Sequence, residues 1–245
     1  IIIIMMSQLT LKLLLLMIIM SLTLILLLFR ENINWYVILY NTILQITCLY
    51  IVINKIESHN LNYISTANYI TYLRLVSVIV LSSYVISNSE IMGAINTFSS
   101  LYFVMFSIII FILDWLDGFF AKTLNEETKF GEDFDQEVDN LLIMVLAISI
   151  IIEYDKFFFL LLIPTLRYIF IFTKKYLHWM RRNLYFSIRR KYICGVSIIL
   201  LISSNLSGLP FSLIELLCII NTLLVFISFM IDVLWLYRRK NEKIY

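Results

Sequence analysis

Asp114-Trp-Leu-Asp117-Gly118-Phe-Phe-Ala121-Lys122 closes one strongly apolar segment of this chain, and Gly131-Glu-Asp-Phe-Asp135-Gln-Glu-Val-Asp139 opens the next. Ionisable groups carried by membrane-length apolar segments are costly and usually functional. Four acids cannot share one pocket unless cations neutralise them. On a helix turning about 100° per residue, Asp114, Asp117, Gly118, Ala121 and Lys122 fall on one face. Gly131, Asp135 and Asp139 also share a face, because i and i+4 positions stack. Two helices presenting two aspartates each make an oxygen-rich cage that suits Mg²⁺ or Mn²⁺. The two glycines and the alanine leave room beside it for a ligand backbone or a sugar. A solvated acidic loop between two spans accounts for Glu126, Glu127, Glu132 and Asp133, but not for the offsets of the four aspartates.

The rest of the chain supports a membrane setting. It has 245 residues, of which 61% are hydrophobic and only 15% charged, with a mean hydropathy of +0.92. Soluble domains are typically about a quarter charged, so an all-α polytopic membrane protein is expected. A net charge of +2 is too mild to argue for a nucleic-acid partner. Cys48, Cys194 and Cys218 lie far apart in apolar stretches, so neither a disulfide framework nor a thiolate metal site is suggested. His59 and His178 are too isolated for a zinc site. The chain begins with Ile1 rather than Met, so its natural start is expected upstream.

A spanning helix needs roughly 20 apolar residues. The candidates are 9–29, 34–54, 73–88, 94–116, 138–152, 157–173, 193–207 and 212–236, eight in all. The last six surround the aspartate motif, and the first two form an N-terminal two-span extension over residues 1–60. Residues 9–29 lack a charged leader and a small-residue cleavage site, so a permanent span is expected there rather than a signal sequence. Basic and non-basic connections alternate, with one lysine, Lys156, in the fifth-to-sixth connection. Lys55 and Arg74 precede the third span, Lys122 and Lys129 lie in the motif connection, and Lys174, Lys175, Arg181, Arg182, Arg189, Arg190 and Lys191 cluster before the seventh. The segments around Ser87–Gly93 and Ser203–Pro210 carry no Lys or Arg, and the tail carries Arg238, Arg239, Lys240 and Lys243. The positive-inside rule then puts the motif and both termini on the cytoplasmic side.

The motif resembles that of the CDP-alcohol phosphotransferases (the class I CDP-alcohol phosphatidyltransferases), D-x-x-D-G-x-x-A-R, eight residues, G-x-x-x-D-x-x-x-D. Asp114, Asp117, Gly118 and Ala121 match, and eight residues, Thr123 to Phe130, separate Lys122 from Gly131, Asp135 and Asp139. One position departs, with Lys122 standing where the family has arginine. Upstream, Ala67-Asn68-Tyr69-Ile70-Thr71-Tyr72-Leu73-Arg74 resembles the family's P-N-x-[IL]-T-x-x-R segment, with Ala67 replacing proline. Asn68, Thr71 and Arg74 form a polar stripe suited to a short interfacial helix leading into the membrane. From Phe134 to Arg239 the chain is similar to an uncharacterised bacterial branch of the family, through FDQEVDNLLI, LRYIF, RRK and SFMIDVLWLYRR.

The resemblance implies a six-helix transmembrane core over residues 61–245, preceded by the interfacial helix. It implies an enzyme of phospholipid synthesis in the bacterial inner membrane. A substituted phosphate would pass from a CDP-alcohol, usually CDP-diacylglycerol, to an alcohol acceptor with release of CMP. Two divalent ions, Mg²⁺ or Mn²⁺, would be held by Asp114, Asp117, Asp135 and Asp139, with Asp139 taking the hydroxyl proton. Asn68, Thr71, Arg74, Gly118, Ala121, Lys122 and Gly131 would line the nucleotide, and Lys122 would act as a point charge where an arginine grips phosphate bidentately. Membrane lipids surround such proteins, and a homodimer follows by analogy alone.

Arg167 lies inside the sixth span, where a charge needs a partner or a water-filled cavity. With Arg189, Arg190 and Lys191 it forms a candidate basic pocket for an anionic acceptor. The bland alternative for these cations is topology signalling and contact with lipid headgroups. Asp232 has no assigned role, and Phe157-Phe-Phe is expected in an interfacial belt or the core. Two rival functions remain in view. A divalent-cation transporter would place its acids mid-membrane, whereas these stand at the ends of their segments. A degenerate family member that binds lipid or nucleotide is motivated by Lys122 and Ala67 and opposed by the intact aspartates.

Overall fold

The computed structural model describes residues 35–58, 66–90, 97–124, 128–181 and 187–239. Among these it is helical and has no strand. The helices are α1 (Trp35–Ser58), α2 (Thr66–Glu90), α3 (Thr97–Thr123), α4 (Lys129–Tyr154), α5 (Leu162–Tyr176), α6 (Ile188–Ser204) and α7 (Phe211–Arg238). Short 3₁₀ turns at Phe158–Leu161 and His178–Arg181 flank α5. The chain divides into two compact units, Ile1–Asp139 and Asn140–Tyr245, with the boundary inside α4.

In the first unit α2 is central. The apolar window Ala67–Ser87 is 78% buried, against 28% for Trp35–Asn54 in α1 and 28% for Leu101–Thr123 in α3. A helix apolar on all sides belongs inside a bundle, and α2 buries Tyr72, Val76, Ile79, Val80, Leu81 and Tyr84 around its circumference. α1 and α3 both pack on it. A polar chain joins α1 to α2: Asn41 Nδ2 donates to Ser83 Oγ at 2.7 Å, and within α1 Gln45 Nε2 donates to Asn41 Oδ1 at 2.6 Å. Helix association in lipid relies on such hydrogen bonds, because apolar side chains gain little by leaving one apolar medium for another. Gln45 and Asn41 are accordingly buried, and the outward face of α1 is aliphatic and aromatic.

The second unit is held by α5, α6, α7 and the later turns of α4. Asn140 Nδ2 donates to the Pro164 carbonyl near the start of α5 at 3.3 Å. Asn205 Nδ2 donates at 2.8 Å to the Leu201 carbonyl and at 3.3 Å to that of Leu146. The chain reverses between α4 and α5 through Asp155 (φ 49°) and Phe157 (φ 64°). A left-handed conformation is uncommon outside glycine. Here Phe157 is anchored by stacking on Phe211, with ring centroids 5.6 Å apart.

Three differences from the sequence reading have physical causes. The expected short interfacial helix is not a separate element, because Thr66–Glu90 runs as one helix. No Gly or Pro lies within it, and Ala67, unlike a proline, keeps its N–H and fits a helix. The expected span 157–173 is divided: Phe157 takes a left-handed conformation, and the α-helix begins at Leu162. Of the eight expected spans, four lie in helices long and apolar enough to cross a membrane: Trp35–Asn54, Ala67–Ser87, Leu101–Thr123 and Phe211–Arg238. α5 and α6 have 15 and 17 residues. At the usual helical rise they reach about 22 and 26 Å, short of a roughly 30 Å hydrocarbon layer. The opening of α4 is acidic. The candidate 9–29 lies outside the described residues, as do Glu126, Glu127, Arg182 and the lysines of the tail.

Candidate active site

The four motif aspartates converge within the first unit. Asp114 and Asp117 stand near the C-terminal end of α3, and Asp135 and Asp139 near the start of α4. The start of α2 brings Arg74 between them. Its guanidinium is wholly buried, with Nη1 2.9 Å from Asp114 Oδ1, 2.8 Å from Asp117 Oδ2 and 2.6 Å from Asp135 Oδ1. Nη2 lies 2.5 Å from Asp139 Oδ1. Four carboxylates against one guanidinium leave the cluster with a formal charge of −3. Such an excess at low dielectric calls for further cations.

The aspartates are not equivalent. Side-chain exposure falls from 36% at Asp135 through 25% at Asp114 and 15% at Asp139 to 5% at Asp117. Asp117 Oδ2 faces Thr71 Oγ1 at 2.9 Å as well as Arg74, so it is the inner anchor of the cluster. Thr71 has one hydroxyl proton to share between Asp117 and the Ala67 carbonyl, 3.1 Å away. The three more open acids can each offer one oxygen such that all lie within 4.8 Å of one another. Hard carboxylate oxygens in that spacing fit Mg²⁺ or Mn²⁺. Asp114, Asp135 and Asp139 are therefore the residues best arranged to hold a divalent ion, with Asp117 steadying Arg74 beside them.

The two motif glycines do different jobs. A Cβ on Gly131 would stand 2.8 Å from Asn68 Oδ1 and 3.1 Å from Thr128 Oγ1. Gly131 thus lets the Asn68 side chain of α2 close onto the first turn of α4. A Cβ on Gly118 would meet nothing within 4 Å. Gly118→Ala is expected to leave the stability within about 0.5 kcal/mol of wild type, as for an unobstructed surface change. Gly131→Ala is expected to displace Asn68. Melting curves of both variants, with activity measured alongside, separate a glycine kept for packing from one kept for ligand room. Equal melting and equal activity in the two variants would remove the distinction.

The remaining residues fall as follows. Asn68 is buried against Gly131, Ala121 is partly exposed, and Lys122 is exposed at the end of α3. Arg167, Arg189, Arg190 and Lys191 all belong to the second unit. Arg189 is engaged there: Nη1 donates to the Ser228 carbonyl at 2.9 Å and to Ser228 Oγ at 3.0 Å, and Nη2 donates to Asp232 Oδ1 at 2.6 Å. Arg190 Nη1 lies 3.8 Å from Asp232 Oδ2. Arg167 is partly buried and Lys191 exposed. Helical spacing alone does not show the place of Arg74 among the acids. A signal was available, since an arginine inside an apolar helix requires acidic partners, and the motif supplies four.

Comparison with known proteins agrees with this site. The CDP-alcohol phosphatidyltransferase family model matches residues 64–234, which include all four aspartates and Arg74. A curated relative, CDP-diacylglycerol–glycerol-3-phosphate 3-phosphatidyltransferase of Wigglesworthia glossinidia brevipalpis, is 45% identical over 65 residues. That match spans 25% of this chain and 35% of the relative, so it covers about a third of the relative's length. No solved structure matches. With most of its length, and every residue of its acid cluster, inside the family match, this chain belongs to the CDP-alcohol phosphatidyltransferase family.

Proposed function

We propose that this membrane protein transfers the phosphatidyl group of CDP-diacylglycerol to the hydroxyl of an alcohol acceptor, releasing CMP. The observation that carries the reading is the convergence of Asp114, Asp117, Asp135 and Asp139 from two helices of a family member. The acceptor oxygen attacks the phosphorus that bears diacylglycerol. The bond from that phosphorus to the bridging oxygen breaks, and CMP departs with the bond's electron pair. The acceptor proton passes to the Asp139 carboxylate. Asp139 suits this task because it is reachable from solvent yet fixed by Arg74 Nη2. Asp114, Asp135 and Asp139 would hold divalent cations, which when bound would neutralise the diphosphate and the departing CMP. Lys122, exposed at the end of α3, meets the donor phosphates as a point charge. The open space beside Gly118 admits the nucleotide.

The proposed acceptor carries a phosphate. The relative's name specifies glycerol 3-phosphate, and Arg167 is a partly buried cation of α5, two turns before Lys174 and Lys175 at the end of that helix. The anionic group is assigned to Arg167, which the sequence places inside an expected span where a charge calls for a partner, with support from Arg190 and Lys191, while Arg189 is tied to Asp232 and Ser228. The proposed location is a bacterial inner membrane with the motif on its cytoplasmic side, an orientation that the alternation of basic connections in the sequence supports.

The test incubates purified protein with labelled CDP-diacylglycerol, Mg²⁺ or Mn²⁺, and a panel of alcohols that includes glycerol 3-phosphate. Release of CMP that depends on both divalent ion and acceptor is the expected result. Donor binding without release would select a non-catalytic binding protein instead. Arg167→Gln is expected to raise the KM of the phosphorylated acceptor by about 10–100-fold, the loss of one charge-assisted contact. Donor affinity should be unchanged. Equal acceptor KM values, or a wild-type preference for an uncharged alcohol, would remove Arg167 from the acceptor site.

A further inference from the structure

Three carboxylate oxygens lie within 2.9 Å of Arg74 Nη1, yet that nitrogen carries two protons. Those protons go to Asp117 and Asp135, and Asp114 is held by charge alone. Among the described residues Nε has no hydrogen-bond partner. The whole attachment of the guanidinium to the acids thus runs through its two terminal nitrogens. The acids hold more acceptor capacity and more negative charge than one guanidinium can satisfy. An ion held by Asp114, Asp135 and Asp139 draws on three carboxylates that all contact Arg74.

We propose that Arg74 is the resident cation of the acid cluster and competes with the divalent ion for the same carboxylates. It keeps four mutually repelling acids assembled before an ion arrives. Its fixed positive charge then weakens the ion's hold, so that binding stays reversible. Arg74 is a positioning residue under this scheme, acting on the donor through the carboxylates and the ion they bind. The inference rests on the divalent-ion site proposed above.

The competition is read without turnover, by titrating purified full-length protein in detergent with Mn²⁺. Free Mn²⁺ is followed by electron paramagnetic resonance and stability by thermal melting. Arg74→Gln removes the charge and keeps a polar side chain. Without divalent ion it should melt below wild type, because the acids lose their counter-charge. Its half-saturating Mn²⁺ concentration should fall by about tenfold or more, since a unit charge no longer opposes a divalent one at contact range. Its melting temperature should also rise more than that of wild type as Mn²⁺ is added. Arg74→Lys keeps the charge but reaches fewer of the four carboxylates, and its half-saturation point should fall severalfold. That variant decides the matter if Arg74→Gln does not fold. A merely structural arginine predicts lower melting with unchanged Mn²⁺ affinity. Unchanged or weaker Mn²⁺ binding in whichever variant folds overturns the competition and leaves the ion site standing. No Mn²⁺ binding by wild type would overturn both.

Discussion

Asp139→Asn is expected to insert into the membrane and melt close to wild type while CMP release falls by about 10²–10⁴-fold, the usual cost of a lost general base. Asparagine keeps the shape of the side chain and an oxygen that can still accept from Arg74 Nη2. It removes one of four negative charges, so the cluster goes from a formal −3 to −2 and holds its cations less tightly. Turnover should therefore fall further than proton transfer alone explains when Mn²⁺ is subsaturating. Raising Mn²⁺ should recover the part due to ion binding and leave the rest. Measuring turnover across a Mn²⁺ series for wild type and Asp139→Asn apportions the two effects. Near-normal turnover in the variant at any Mn²⁺ concentration would end the assignment of Asp139 as base.

The convergence of the four aspartates was legible because it depends on spacing within helices. Asp114 and Asp117 share a face at i and i+3, and Asp135 and Asp139 at i and i+4, whatever the helices pack against. Gly118 and Gly131 were legible as positions needing room, but not as different kinds of room. That distinction depends on whether the neighbouring helix puts a side chain opposite, and Asn68 does so only at Gly131. Arg74 shows the same limit. Helical periodicity gives the stripe Asn68, Thr71 and Arg74, but only packing decides that the stripe meets α3 and α4. Asp117 was grouped with the other acids because its offset is equivalent. Its burial against Thr71 and Arg74 is what sets it apart.

Spans were less legible than the site. Hydropathy marks apolar stretches but does not see a left-handed residue at Phe157, so 157–173 read as one helix. It likewise missed that Thr66–Glu90 runs without a break, because a polar stripe in an apolar helix looks like an interface from composition alone.

Asp232→Ala is expected to lower stability by about 3 kcal/mol, at the low end of the roughly 3–5 kcal/mol for breaking a buried ion pair from one side. The Asp232 side chain is 6% exposed and accepts from Arg189 Nη2 at 2.6 Å, with Arg190 Nη1 at 3.8 Å. Arg189 is 26% exposed, so water relieves part of its stranded charge, which places the cost at the low end. Arg189 Nη1 also binds the Ser228 carbonyl and hydroxyl one turn earlier on α7. The arginine is thereby fixed to α7 at two levels, and the start of α6 with it. Replacing both partners, Arg189→Met with Asp232→Leu, should recover most of the loss, because an apolar pair of similar volume avoids the desolvation that the ions incur. Melting of the two single variants and the double variant in detergent reads the coupling. Acceptor KM should stay constant through the series if Arg189 is structural. An Asp232→Ala protein that melts like wild type, or an Arg189→Met protein that keeps its stability and loses acceptor affinity, would return Arg189 to the acceptor site.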